Sequence, residues 1–341
     1  MKNRTRTICL TLLVVLVLAA AAAVLWRPAE QATPEPTPSS QTEPSASASQ
    51  PAPTPQPSQA VQEEIQRYAK EANADGIVTE TPDPYFIEQQ PGYDYREPET
   101  IAYHSGLTQT TRHAMVFLPA DYSEEKTYPV LYLLHGYGGS HRTWRNKAAD
   151  IILQNLYYFE DVPEMIVVCP NSNVNQAESV EGLNFWESVE PFDRTPDEVV
   201  DYLMPYINRH YPVKTGRENT AVAGNSMGGR NALALAYRHP ELFGYVGAFS
   251  SSTAVAAANG NTMSTPLQDL TLPDGTPPFR LLFLAVGRSD NVCGNVTYEL
   301  DNYMNQQGIK HLFYGTTGGH QNVVWQNALY NFGKRLFRVG S

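Results

Sequence analysis

The sequence predicts an α/β fold, in which a mostly parallel sheet of about eight strands carries helices on both faces. Strand-like and helix-like segments alternate from about residue 99 to the C-terminus, the pattern typical of such sheets. Several strand-like segments are apolar almost throughout, as expected of strands covered on both sides. Polar residues that can carry chemistry follow these segments, at the edge of the sheet where ligands bind.

The first two strand-like segments have the mixed composition of half-buried strands, and the later ones are nearly continuous apolar runs. The predicted strands span residues 99–105, 112–119, 128–136, 164–170, 220–226, 245–251, 280–287 and 310–317. Helical periodicity marks residues 147–156, 196–210, 228–239, 296–307 and 323–336.

Residues 1–27 form a targeting segment, with three basic residues before an uncharged stretch from Ile8 to Trp26. The stretch is longer than a usual signal-peptide core of about 7–15 residues, and just long enough to span a bilayer, which takes roughly 18. A cleaved signal peptide and an uncleaved N-terminal membrane anchor both remain open. Either places the rest of the chain outside the cell, secreted or tethered to the cell surface.

Residues 28–60 are predicted to be a disordered linker, because nine prolines stand there among Ser, Thr, Gln, Ala and Glu. Residues 61–341 have a globular composition that suits one large α/β domain. The formal net charge of −11 argues against nucleic acid as a partner. Neutral or weakly charged substrates fit this balance better.

Cys169 and Cys293 are the two cysteines of the predicted domain. A disulfide between them is compatible with an extracellular location. Their strands are expected to lie four positions apart, or about 19 Å, whereas a disulfide needs Cα atoms within about 7 Å. We therefore expect two separate thiols.

The segment "AVAGNSMGGRNAL" places Ser226 between two glycines, where an apolar strand gives way to a helix. By itself the pattern is weak, since Gly and Ser are common residues. A serine hydroxyl at the tip of a sharp strand-to-helix turn requires a strained backbone and a close approach of helix to strand. Side chains at positions 224 and 228 would obstruct that approach, so glycine is expected at both.

Ser226, Asp290 and His320 each follow a different predicted strand, in the chain order of the α/β-hydrolase triad. His320 stands between the last strand and the last helix, and is predicted to take the serine proton as a general base. A surface histidine is the alternative reading. Asp290 is predicted to orient His320, although a turn aspartate that caps the next helix is also possible. Glu299 and Asp301 are rival acids within the following helix.

The segment "LLHGYGG" ends a buried strand and is predicted to complete an oxyanion hole. Such a hole usually takes one N–H donor from the residue after the nucleophile and one from a loop after an early strand. Here those donors are the backbone N–H groups of Met227 and Tyr137. A glycine-rich turn with no catalytic role is the alternative.

With these motifs in place, the chain from about residue 99 to 339 resembles the esterase-D-like branch of the α/β-hydrolases. Within that branch it is most similar to the feruloyl esterase domains found with bacterial xylanases. The resemblance implies a serine esterase with no metal and no cofactor. It also implies Ser226, Asp290 and His320 as nucleophile, acid and base, and Tyr137 and Met227 as the oxyanion positions. The motifs that carry it are "VLYLLHGYGGSHRTW", "VVCPNSN", "YLMPYINRHYPV", "AVAGNSMGGRNAL", "LLFLAVGRSDN" and "GGHQNVVW".

Two features depart from the family pattern. The acid loop "GRSDN" lacks the more usual threonine or asparagine before its aspartate, and residues 182–198 look longer than the equivalent connection. That insertion is expected where a lid or substrate clamp would lie. Trp144, Phe185 and Trp186 are candidate stacking partners for an aromatic acyl group or a sugar, with core packing as their alternative fate. Trp325 is expected to pack within its helix.

Three functions are compatible with these residues. The first is an extracellular serine carboxylesterase that cleaves feruloyl or acetyl esters on plant cell-wall xylan or xylo-oligosaccharide. The second is an acyltransferase that passes an acyl group to a sugar, as the related mycolyltransferases do. The third is a glycan-binding module without catalysis, which an intact triad argues against because binding alone does not require it.

Overall fold

The computed structural model describes residues 84–338 apart from residues 253, 256–262 and 265–269. The predicted targeting segment (1–27) and linker (28–60) lie outside this described part, as does the start of the predicted 61–341 domain. Within the described ranges, none of the helices combines the length and the apolar character needed to cross a bilayer.

Eight strands form one sheet in the order β1-β2-β4-β3-β5-β6-β9-β10, and a separate two-stranded ladder pairs β7 with β8. The first two pairings of the large sheet, β1 with β2 and β2 with β4, are antiparallel, and the other five are parallel. The predicted mostly parallel sheet is thus confirmed. The strands are β1 (Glu99–Ser105), β2 (Thr110–Phe117), β3 (Val130–Leu134), β4 (Ile166–Pro170), β5 (Thr220–Asn225), β6 (Tyr245–Phe249), β7 (Ala254–Val255), β8 (Met263–Ser264), β9 (Leu281–Gly287) and β10 (Leu312–Thr316).

Helices cover both faces of the large sheet, and each face has its own apolar cluster. Successive side chains of a strand point to opposite faces, so Leu131 and Leu133 of β3 join one cluster while Tyr132 and Leu134 join the other. The α-helices are α1 (Ala149–Phe159), α2 (Phe185–Asp193), α3 (Thr195–Glu198), α4 (Met204–His210), α5 (Met227–Arg238), α6 (Gly294–Gln306) and α7 (Asn322–Gly333). Short 3₁₀ turns cover Pro84–Ile87, Arg145–Lys147 and Arg217–Asn219.

The helix predicted over residues 196–210 is divided in the structure. A π-helical turn, Val199–Leu203, separates α3 from α4. Pro205 lies in the first turn of α4 and has no N–H to donate to the preceding turn, and its ring crowds the carbonyl four residues earlier. The hydrogen-bonding ladder therefore widens to a π turn just before the proline.

Ser226 occupies the sharp turn between β5 and α5, with φ 56° and ψ −121°. Non-glycine residues rarely adopt a positive φ, and such strain is found mostly at functional sites. A Cβ atom at Gly224 would lie 2.5 Å from the backbone of Gly228, and one at Gly228 would lie 2.4 Å from the carbonyl oxygen of Leu134. The glycines at both positions are therefore required by the close packing of helix against strand, as predicted.

Replacing Gly228 with alanine is expected to destabilise the fold by about 3 kcal/mol, because the added methyl group meets backbone that cannot move aside. Urea unfolding followed by circular dichroism measures this change. Gly294→Ala is the matched control, because a Cβ there meets only the Cβ of Asp290, at an ordinary 3.5 Å. Equal stability of the Gly228→Ala variant and the wild type would contradict the close approach.

Candidate active site

The predicted triad residues follow three strands of the parallel part of the sheet. Ser226 follows β5, Asp290 lies three residues beyond β9, and His320 lies four residues beyond β10. The carboxyl ends of parallel strands meet at one edge of a sheet. Residues more than 90 positions apart in sequence are thereby brought together at this edge.

The three side chains form a continuous hydrogen-bonded relay. Nε2 of His320 lies 3.1 Å from Oγ of Ser226, and Nδ1 of His320 lies 2.9 Å from Oδ2 of Asp290. The carboxyl side chain of Asp290 is fully buried, whereas the imidazole is 17% exposed. The imidazole therefore faces the cavity while its orienting partner is shielded from water.

The environment of Asp290 keeps its carboxyl group ionised. Burial favours the neutral form, but the hydrogen bond from His320 and the backbone N–H groups of Cys293 and Val292 outweigh it, and lower the pKa of Asp290 to about 2. The two N–H groups donate to Oδ1 at 2.8 and 2.9 Å. An ionised carboxylate accepts hydrogen bonds only, so Nδ1 of His320 carries the proton. Nε2 then has a free lone pair to accept the proton of Ser226.

Backbone hydrogen bonds hold the loops of the acid and the base together. The N–H of Arg288 donates to the carbonyl of Thr316 at 2.8 Å, and that of Ser289 to the carbonyl of Gly318 at 2.9 Å. A Cβ atom at Gly287 would lie 2.4 Å from the carbonyl oxygen of Gly318. These contacts between the two loops fix the distance between Asp290 and His320, which does not depend on the two side chains alone.

Asp301, one of the rival acids, has a different partner. It lies on α6 and contacts Nε2 of His311 at 2.7 Å, with both side chains buried. It therefore serves to attach α6 to the chain just before β10.

The two predicted oxyanion donors border the cavity beside Ser226. Met227 is the first residue of α5, and the first N–H groups of a helix have no partner within it and favour negative charge. The loop that carries Tyr137 presses against the same turn, since a Cβ at Gly136 would lie 3.1 Å from Cβ of Ser226. Both residues therefore lie beside the nucleophile at the edge of the cavity, and their role as oxyanion donors stays a prediction.

His135 holds the oxyanion loop, a role not foreseen from the sequence. Its Nε2 accepts the N–H of Ser172 at 2.9 Å, so its Nδ1 carries the proton and donates to the carbonyl of Gly136 at 2.7 Å. Burial lowers the pKa of His135 to about 4. A neutral imidazole with a fixed tautomer thus ties the loop after β3 to the loop after β4.

A cavity of about 610 Å³ opens in front of the relay. This lies within the range of roughly 300–1,000 Å³ usual for small-molecule sites. Its walls combine backbone of the oxyanion loop with apolar and polar side chains. They are formed by Gly136, Tyr137, Gly138, Gly139, Thr143, Lys147, Asn225, Ser226, Met227, Ser252, Val292, Cys293, His320 and Trp325.

The predicted substrate contact of Trp144 was wrong, whereas the predicted packing of Trp325 is confirmed. Trp144 is 1% exposed and packs in the core, where its Nε1–H donates to the carbonyl of Leu134 at 2.9 Å, so it is not a substrate contact. Trp325 packs in the core cluster as expected, and it also lines the cavity, which was not foreseen. Its ring stands edge-on to His320, with ring centroids 5.0 Å apart.

The insertion at residues 182–198 contains α2 and packs beside the nucleophile. Val189 and Phe192 form a small apolar cluster with Met227, and the carbonyl of Phe192 accepts the side-chain N–H of Asn231 at 2.9 Å. The insertion thus buttresses the start of α5. Phe185 and Trp186 begin α2, but their side chains lie outside the described residues, so their predicted stacking role stays a prediction.

Cys169 and Cys293 are both free and buried. Cys169 lies on β4 and Cys293 follows β9, four positions along the sheet. The expectation of two separate thiols is confirmed.

The fold and this arrangement of serine, imidazole and carboxylate define an α/β-hydrolase. The chain belongs to the Esterase family, whose model, described as "Putative esterase", matches residues 105–336.

Three relatives illustrate the similarity. An endo-1,4-beta-xylanase/feruloyl esterase of Xylanibacter ruminicola is 29% identical over 184 residues, which cover 52% of this chain and 25% of that protein. An acetyl esterase of Caldicellulosiruptor saccharolyticus is 21% identical over 68% of this chain and 94% of that one. The solved ferulic acid esterase AmCE1/Fae1A of Anaeromyces mucronatus matches with a TM-score of 0.69 and 28% identity, over 76% of this chain and 97% of that one. The chain thus spans a quarter of the xylanase relative and nearly all of the other two.

Proposed function

We propose that this protein is a serine carboxylesterase that removes acyl groups, feruloyl or acetyl, from plant cell-wall polysaccharide through an acyl-enzyme. The observation that carries the proposal is the relay from Ser226 through His320 to Asp290, which opens into a cavity. No metal or cofactor has a part in the proposed chemistry.

In the first half of the reaction, Oγ of Ser226 attacks the ester carbonyl while Nε2 of His320 takes the hydroxyl proton. The negative charge that develops on the carbonyl oxygen is stabilised by the N–H groups of Met227 and Tyr137. The imidazolium is stabilised by Asp290, and gives its proton to the departing sugar oxygen. An acyl-enzyme on Ser226 remains.

In the second half, water takes the place of the sugar hydroxyl. His320 removes a proton from the water as it attacks the acyl carbonyl, and then returns that proton to Oγ of Ser226. The products are a free carboxylic acid, a deacylated sugar hydroxyl and the enzyme in its starting state. If a sugar hydroxyl attacked instead of water, the same residues would produce a new ester.

The choice of acyl group is supported by the relatives and by the size of the cavity. The Anaeromyces enzyme is also known in complex with ferulic acid, at 29% identity to this chain. An acetyl group would fill only a small part of about 610 Å³, whereas small-molecule sites of this size usually enclose most of a larger ligand. We therefore propose hydroxycinnamoyl esters, in preference to acetyl esters, as the substrates of this enzyme.

The test is product analysis with methyl ferulate and acetylated xylan, in the presence and absence of trehalose or xylo-oligosaccharide. The proposal predicts free ferulic acid as the main product, with methyl ferulate cleaved at least ~10-fold more efficiently than an acetyl ester, as expected when a large apolar group gains buried contacts. A new sugar ester as the main product would establish an acyltransferase. Retention of xylan without turnover would establish a binding module.

We also propose that the enzyme acts outside the cell, on the strength of the basic and apolar residues 1–27 and the proline-rich residues 28–60. Detection of the full chain only in the cytosol of the producing cell would overturn this location.

A further inference from the structure

Lys147 is a buried lysine in the wall of the active-site cavity. It is 6% exposed, and it lies in the short 3₁₀ turn that follows the oxyanion loop. Its backbone is fixed on both sides, because its N–H donates to the carbonyl of Trp144 at 3.1 Å and its carbonyl accepts Nε2–H of Gln326 at 3.0 Å. These two hydrogen bonds fix the point from which the side chain of Lys147 leaves the backbone.

The ammonium group of Lys147 has aromatic neighbours but no acceptor. Nζ lies 5.4 Å from the ring centroid of Trp144 and 5.2 Å from that of Trp325. Within the described part of the chain, no oxygen lies within hydrogen-bonding or ion-pairing distance of this nitrogen. Two cation–π contacts offset part of the cost of burial, but they supply no oxygen acceptor for its three N–H donors.

An ammonium group without a protein acceptor calls for an explanation, because polar groups of buried side chains are nearly always hydrogen-bonded. Lys147 lies in the wall of the active-site cavity. Its position indicates a ligand that brings an oxygen acceptor to the ammonium.

The order of the groups along the cavity limits what that ligand is. The ring of Trp325 contacts both His320, with ring centroids 5.0 Å apart, and Nζ of Lys147, which lies 5.2 Å from the centroid of the indole. Ser226, the indole and the ammonium thus line one cavity. A flat, rigid acyl group on Ser226 can stack on the indole, whereas an acetyl group has no ring to stack.

We propose that Lys147 is a specificity-determining residue, which donates a hydrogen bond to the oxygen at the far end of a 4-hydroxycinnamoyl group stacked along Trp325. This inference rests on the proposed esterase function and adds to it the residue that reads the acyl group. Burial lowers the pKa of Lys147 to about 8. Most of the side chain is therefore still protonated at neutral pH, where it remains a charged donor.

The test compares two substrates that differ in one hydroxyl group, methyl p-coumarate and methyl cinnamate. The wild type is expected to prefer the coumarate by roughly 10- to 100-fold in kcat/KM, the range of a hydrogen bond to a charged group. Lys147→Met keeps the apolar stem and removes the donors, so the preference should fall to within about 3-fold of unity. Lys147→Gln, which retains an N–H donor, should recover part of it.

The ratio of the two rates is measured on one preparation, so it does not depend on the fraction of protein that is folded. Lys126→Met is the matched control, since Lys126 is half exposed, pairs with Glu164 and does not line the cavity. It should keep the wild-type ratio.

An unchanged ratio in Lys147→Met, or a wild type that cleaves both esters equally well, would overturn the role of Lys147 and leave the esterase intact. A wild type that cleaves acetyl esters and neither aromatic ester would instead overturn the proposed acyl group, and the role of Lys147 with it.

Discussion

Replacing Ser226 with alanine is expected to lower kcat for ester hydrolysis by about 10⁵-fold or more, which is the scale seen when a triad nucleophile is removed. Without Oγ no acyl-enzyme forms, and the oxyanion donors alone can only assist a slow attack by water. Initial rates on methyl ferulate or a nitrophenyl ester measure the loss.

Ser123→Ala provides a matched control for the loss of a hydroxyl group. Ser123 lies in the turn before β3, where its Oγ accepts the N–H of Glu125, and it does not line the cavity. Its replacement should leave the rate within a factor of about two, as usual for a surface change. Comparable rates from Ser226→Ala and Ser123→Ala would exclude Ser226 as the nucleophile.

Replacing Asp290 with asparagine is expected to lower kcat by about 10⁴-fold, because an amide in place of the carboxylate favours the wrong tautomer of the histidine. An asparagine N–H can donate to Nδ1 of His320, which shifts the imidazole proton to Nε2, where it blocks acceptance from Ser226. Asp301→Asn is the matched control: it replaces the carboxylate that pairs with His311 by a neutral amide, and should lower stability without a comparable loss of kcat. Equal losses in both variants would contradict the assignment of Asp290.

The lowered pKa of Asp290 adds a pH signature to this variant. The pKa of Asp290 is about 2 in the folded protein, against an ordinary 3.8. The ionised carboxylate therefore makes its full contribution to the free energy of unfolding at any pH well above 3.8. That contribution is lost as pH falls through about 2. The difference in unfolding free energy between wild type and Asp290→Asn should therefore shrink as the pH falls from about 4 towards 2. A difference that grows between about pH 4 and pH 2 would contradict the ionised state.

Much of the site was predictable, because short motifs mark the strand ends and because the order of the three catalytic residues along the chain is typical of the fold. A glycine on each side of Ser226, a glycine pair before His320 and an aspartate just after a buried strand can each be read from a few residues. Parallel strands then place these positions at one sheet edge, whatever the details of the helices between them.

The rest of the cavity wall, beyond the triad and the oxyanion residues, was not predictable, because it depends on which side of a short turn or helix faces inward. Trp144 and Lys147 lie three residues apart, yet the indole enters the core while the ammonium reaches the cavity. Trp325 looks like an ordinary helical core residue in the sequence, and only the packing of α7 beside His320 brings it to the substrate side. The sequence alone does not show that Lys147 lacks a carboxylate partner, because pairing depends on side chains that are distant in sequence.

The central claim is that the fold turns Ser226 into a nucleophile by linking it to His320 and Asp290. Labelling with a fluorophosphonate ester, followed by peptide mass spectrometry, tests this most directly, since the reagent bonds only to an activated serine oxygen. We predict one adduct per chain on the peptide that contains Ser226, with loss of activity in step with labelling and far slower labelling in His320→Ala. A fully labelled Ser226 in an enzyme that still turns over, or full loss of activity with the adduct on another residue, would contradict the claim.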